Sequence, residues 1–146
     1  MIIDIRKIKR SGSDSQEISY SLEPREGLLD IPNASIVAPM EVNGEAILTG
    51  DHSVLILVTI DFEIQGQCVR CLEDAKAKVS FDIRDDIRED GETDYLVIND
   101  SVDLDKIIYN AIILNAPNTL LCSEDCLGLC LDCGGNLNKG ECKCKK

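Results

Sequence analysis

The most regular stretch of the chain places Val54, Ile56, Val58, Ile60, Phe62 and Ile64 at every second position. Ala75, Ala77, Val79, Phe81 and Ile83 repeat the pattern, with Lys76, Lys78, Ser80, Asp82 and Arg84 between them. Period two means a strand with one buried face and one wetted face. Set antiparallel with Ile64 facing Ala75, Ile60 facing Val79 and Ile56 facing Ile83, the two runs bring their apolar faces together. That register puts Cys68 opposite Cys71 across a Val69-Arg70 turn, and a register two residues away matches the faces equally. Upstream, Ile36, Ala38, Met40 and Val42 alternate as far as Asn43-Gly44. Asn-Gly is the strongest two-residue hairpin signal, because both residues tolerate positive φ. Residues 46–49 would return from it, and Gly50-Asp51 is a second turn candidate.

Nearer the start, residues 2–8 and 18–22 read as short strands around the turn segment 11–15, and residues 23–27 as a loop. Residues 95–98 are a further short strand candidate. Leu104, Ile107, Ile108, Ala111 and Ile112 fall at helical spacing and form one stripe for docking on the sheet. Ser101 or Asp103 can cap that helix, and Pro117 sets its far limit. The prediction is an α+β fold. A mostly antiparallel β meander over residues 36–87, open or barrel-like, carries one packed helix in a core of residues 1–117. A cysteine-rich, metal-binding tail, residues 118–146, packs on that core.

Composition narrows the function classes. A length of 146 residues suits one domain, and 44% hydrophobic residues argue against global disorder. Aromatic residues make up 3%, with no Trp, too few for a base-stacking platform. No apolar run reaches the ~18 residues of a membrane span. Residues 1–10 lack the pattern of a secretory signal, so the chain reads as cytoplasmic. Lys and Arg number 15 against 27 Asp and Glu, for a net charge of -12. That balance argues against coating a nucleic-acid backbone, which needs clustered cations. Residues 82–105 hold ten carboxylates against Arg84 and Arg88. They read as a solvated strand edge and loop or, more sharply, as a docking surface for a basic partner.

Eight cysteines in a reducing compartment point to metal before disulfides. Six of them lie in the last 25 residues, a segment too poor in apolar side chains to fold alone. Coordination free energy would supply the missing cross-link. Cys130-x2-Cys133 followed by Gly134 looks like a zinc knuckle, and Cys142-x-Cys144 returns after eight residues as in a small zinc ribbon. Cys68-x2-Cys71 is a second knuckle, for which Cys122 and Cys126 can bring the other two ligands. Three assignments stay open. The first is two sites of four thiolates. The second is one site of Cys68, Cys71, Cys130 and Cys133. The third is one local site of Cys122, Cys126, Cys130 and Cys133. Zinc, one or two ions, leads because all-sulfur tetrahedral sites select it, with iron as the competitor. Four thiolates leave no open position, so the role is structural.

The same residues carry a family resemblance. Cys68-Val69-Arg70-Cys71-Leu72 resembles the C-x-R-C signature of the YceD family, the large ribosomal RNA subunit accumulation proteins. The segment from Cys126 to Asn138 is similar to the C-x-G-L-C-x-x-C-G-x-N-L-N tail of many members, and the helix before Ala116-Pro117 sits where theirs does. The resemblance implies a ribosome-biogenesis factor needed for accumulation of large-subunit (23S) rRNA.

Charge suggests how such a factor would act. Arg6, Lys7 and Arg10 near the start, Arg70 at the hairpin tip and Lys143 near the end are candidate contacts for RNA phosphates or a partner. Ordinary surface charge accounts for them equally. The acidic bulk favours a basic ribosomal protein or a large-subunit precursor as partner, with weak or absent binding to naked RNA. His52 is the one histidine, and no phosphate loop, nucleophile elbow or H-E-x-x-H helix occurs, so the chain is read as a binding protein and not an enzyme. The alternatives are a thiol redox module using Cys68 and Cys71, or a metal-dependent nuclease built on the 82–105 carboxylates.

Overall fold

The computed structural model describes residues 1–50, 53–88, 99–140, 142 and 144, leaving aside the side chain of Ala38. Four strands, β2 (Ser15–Leu22), β3 (Ala34–Gly50), β4 (Ser53–Gln67) and β5 (Asp74–Arg88), form an antiparallel meander in the order β2-β3-β4-β5. Among the described residues it is an open sheet and not a closed barrel. A second, two-stranded sheet pairs β1 (Ile2–Asp4) with β6 (Ser101–Asp103).

The alternation read from the sequence is the burial pattern of β4. Val54, Ile56, Val58, Ile60, Phe62 and Ile64 are all buried. On β5, Ala75, Ile83 and Ile87 are buried, and Ala77, Val79 and Phe81 are half-buried against the same core. The rings of Phe62 and Phe81 meet edge to face at 6.3 Å. Helix α2 (Leu104–Asn115) lays Leu104, Ile107, Ile108, Tyr109 and Ile112 into this core. Its N-cap is Asp103, whose carboxylate accepts the Lys106 N–H. Ala116, ahead of Pro117, is extended and ends it. Asp105 in the first turn accepts the Tyr20 hydroxyl at 2.6 Å and pairs with the terminal ammonium of Met1 at 2.7 Å. Burial and that carboxylate together raise the Tyr20 pKa.

Three sequence expectations are corrected. Residues 2–8 are not one strand, because the chain turns at Asp4 into helix α1 (Ile5–Arg10). Asp4 caps the helix by accepting the Arg6 N–H at 2.9 Å, and Ile5 and Ile8, three apart, are its buried positions. Asn43-Gly44 is not a turn but lies inside β3, where Gly44 pairs with Ile18 on one side and Val58 on the other. A Cβ on Gly44 would meet the Leu57 carbonyl and lie 2.6 Å from the Val58 Cα. The glycine serves close backbone approach, not positive φ.

The third correction concerns the β4–β5 register, which is shifted by two residues. Ile64 faces Ala77, Ile60 faces Phe81 and Val58 faces Ile83. The cause is the cysteine loop, which needs residues 68–73 and not a two-residue turn. Gly50 pairs with Ser53, while Asp51 and His52 lie outside the described residues, as do residues 89–98 with their strand candidate and four of the acids. Pro39 falls in the register shift between Val37 and Glu41, where its missing N–H costs no ladder bond. No helix among the described residues is long and apolar enough to cross a membrane.

Candidate metal centres

The β4–β5 connection is a knuckle built from the backbone. Cys68 donates its N–H to the Glu73 carbonyl at 2.8 Å, and Leu72 donates back to the Cys68 carbonyl at 2.9 Å. The tail repeats the geometry, with Cys130 donating to Gly135 at 2.8 Å and Gly134 to Cys130 at 2.9 Å. Both loops need a left-handed residue four positions after the first cysteine. Gly134 supplies it at φ 70°, and Leu72 adopts it at φ 62° against the usual steric preference.

The tail returns to the first knuckle. Val69 donates its N–H to the carbonyl of buried Leu120 at 2.9 Å. The Arg70 guanidinium donates to the Cys126 carbonyl at 3.1 Å. Glu73 pairs with Lys139 at 2.8 Å, which holds its carboxyl below the usual range, and it also accepts from Asn136. As a result Cys68, Cys71, Cys122 and Cys126 converge in an inner tetrad, and Cys130, Cys133, Cys142 and Cys144 in an outer one. Within each tetrad the sulfurs lie within 4.8 Å of one another. Of the three ligand assignments, this is the two-site one.

The donor sets fit a metal. Cys68 and Cys126 sulfurs are 3.6 Å apart, Cys71 and Cys122 3.6 Å, and Cys130 and Cys144 3.8 Å. A disulfide requires about 2.05 Å, whereas four thiolates at about 2.3 Å from one ion sit about 3.8 Å from each other. The electrostatics agree. Burial opposes ionisation of Cys68, but the N–H groups of Cys71, Cys122 and Arg70 overcome it and lower the pKa to about 6. The Glu73 N–H favours the Cys71 thiolate, but burial and the sulfurs of Cys122, Cys68 and Cys126 outweigh it and push it up to about 12. In the outer tetrad the N–H groups of Cys133 and Asp132 lower Cys130 to about 6. The Cys133 sulfur, burial and the Cys130 sulfur push Cys144 up to about 12. Each tetrad thus holds a thiol ready to ionise beside one that keeps its proton unless a cation offsets the crowded charge.

Sequence reading gave no role to Asn138, whose amide donates to the Cys126 sulfur at 3.3 Å and whose carbonyl oxygen accepts the Leu127 N–H at 2.8 Å. The signal available was an Asn beside a cysteine knuckle, a residue type that bonds local backbone readily. The basic candidates do not converge as the cysteines do. Arg70 is engaged on Cys126, and Arg6 faces Asp4 at 3.5 Å and Asp100 at 4.0 Å. Lys7 and Arg10 are exposed on α1, and Lys143 lies outside the described residues.

Comparison with known proteins follows the same geography. The family model described as "Large ribosomal RNA subunit accumulation protein YceD" matches residues 56–146, the part that holds most of β4, all of β5 and α2, and both tetrads. A relative from Mycobacterium tuberculosis, named as an uncharacterized protein, is 30% identical over 93 residues, covering 57% of this chain and 44% of the relative. A Mycobacterium bovis relative gives the same figures. The chloroplastic large ribosomal RNA subunit accumulation protein YCED homolog 1 of Arabidopsis thaliana is 42% identical over 43 residues, 30% of this chain and 13% of that protein. The matched part spans less than half the length of these curated relatives. No solved structure matches the chain significantly.

Proposed function

The chain belongs to the YceD family, and on that premise we propose that it is a cytoplasmic ribosome-biogenesis factor needed for accumulation of large-subunit ribosomal RNA. It acts as a non-enzymatic binding protein held together by zinc. The observation that carries the metal part of the reading is the convergence of eight cysteines into two tetrads. Cys68, Cys71, Cys122 and Cys126 would hold one ion, and Cys130, Cys133, Cys142 and Cys144 the other. Zinc would supply cross-links and no chemistry, since four thiolates fill its coordination. All-sulfur tetrahedral donor sets favour zinc or iron over harder cations.

The partner in this reading is a basic ribosomal protein or a large-subunit precursor that contains one. Support comes from the solvent face of the sheet. Glu17 lies directly across from Glu45, and Glu41 directly across from Asp61, all four exposed. Like charges in facing positions cost stability, and a cationic partner relieves that cost on binding. Naked RNA is repelled by the net charge of -12.

Depletion of the protein tests the role. Mature large-subunit rRNA is expected to fall while small-subunit rRNA is maintained, as read on a denaturing gel. Equal loss of both removes the specific large-subunit role. Binding of large-subunit rRNA fragments alone at submicromolar concentration, with a steep salt slope, removes the protein-partner reading.

A further inference from the structure

The two tetrads differ in what surrounds them. In the inner one, Cys122 is exposed, but Cys68 is fully buried, Cys71 and Cys126 are 4% exposed, and these three belong to the packed cluster that fills the sheet. In the outer one only Cys130 is buried, Cys133 is exposed, and Cys142 and Cys144 are half-buried. Their anchorage differs too. The inner ligands come from two distant segments, the β4–β5 loop and the tail, tied together by Val69 to Leu120 and Arg70 to Cys126. The outer ligands all come from residues 130–144, and none of the four is in the cluster that fills the sheet.

These differences govern how an ion can leave. A competing ligand must reach the metal and replace thiolates one at a time. At the inner site only the Cys122 edge meets solvent and the other three sulfurs lie in the core, so complete release waits on opening the fold. At the outer site three of the four sulfurs are exposed or half-buried, and the segment is tied to the β4–β5 loop by the exposed contacts of Asn136 and Lys139 with Glu73 and not by core packing of its ligands. We propose that the outer tetrad is an exchangeable site for a soft divalent cation, zinc, while the inner tetrad keeps its ion for as long as the sheet is folded. The outer loop is then ordered only when zinc is in supply, and the tail reports metal availability while the sheet does not. The inference rests on the zinc reading above.

The experiment uses the full chain loaded with zinc and challenged with excess of a chromogenic chelator, pyridylazoresorcinol. Two phases are expected, each of one ion per chain, with rates separated by about tenfold or more, the slower rising with urea as global unfolding does. Cys133→Ser should abolish the fast phase, keep one ion, and leave the sheet's circular dichroism and thermal midpoint nearly unchanged. Cadmium-113 loading gives an independent readout, with two resonances in the all-sulfur region of which one disappears on chelation. Two ions leaving in one phase would overturn the inference and leave the zinc reading standing, whereas uptake of only one ion at saturating zinc would overturn the inference together with the assignment of an ion to each tetrad. A chain that takes up no zinc at all overturns both.

Discussion

Gly44 is a glycine because of what lies across from it. The backbones of β3 and β4 approach so closely there that a methyl group meets the Leu57 carbonyl and the Val58 Cα. Gly44→Ala is therefore expected to destabilise the fold by about 1–3 kcal/mol, since backbone and not a flexible side chain must give way. Urea unfolding followed by circular dichroism measures it, and an unchanged midpoint would contradict the close approach. Asn138 acts through a different route. Its amide on the Cys126 sulfur and its hold on Leu127 orient an inner ligand from outside the tetrad. Asn138→Ala should weaken binding of the inner ion by about 10–100-fold, the usual effect of losing such a support. A competitive zinc titration reads this, with Asn43→Ala as a control distant from the knuckles in the register of β3.

At the level of the elements, the exposed sheet face carries a testable cost. Glu45→Lys turns the facing Glu17 from a repulsive neighbour into an attractive one and should stabilise the protein by about 0.2–1 kcal/mol. The gain should shrink at high salt, and the variant should bind its basic partner less well. Thermal midpoints at low and high ionic strength check the first part, and co-sedimentation with large-subunit precursors the second. The elements also mark how far the sequence could be read. β4, β5 and α2 were legible because each buries a single face, so their burial periods of 2 and 3.6 stand out from Val54 to Ile64 and from Leu104 to Ile112. The β4–β5 register was not, because period two is blind to a shift of two, and only the backbone bonds of the cysteine loop fix it. Asn43-Gly44 misled because the missing Cβ serves a turn and a close approach equally. Residues 2–8 misled because Ile3, Ile5 and Ile8 fit alternation and a helical step together. The cysteines announced metal by spacing, but their pairing depends on where Leu120 docks beside Val69, a tertiary fact with no local signal.

On the scale of the whole molecule, the tail and the core depend on each other unequally. The sheet and α2 form their cluster largely from residues before Pro117, to which the tail adds Leu120 and Cys126 as buried contributors. A chain ending after Pro117 should therefore keep a cooperative thermal transition and native-like β content, at a lowered midpoint. Its loss of stability should arise at the β4–β5 tip, where Cys68 and Cys71 are left without their partner sulfurs. A fully unfolded truncation would mean that the tail organises the sheet.

The pairing of β1 with β6 sets a schedule for the nascent chain. The four-stranded meander joins neighbours in sequence and can assemble as it emerges, but Ile2 pairs with Asp103, about 100 residues later. At the usual ~5–20 residues per second, β1 waits about 5–20 s on the ribosome for its partner strand. Through that interval Ile3 lacks its strand partner Val102. Residues 2–4 are thus made long before they are placed, and Ile3 is exposed meanwhile to a ribosome-associated chaperone.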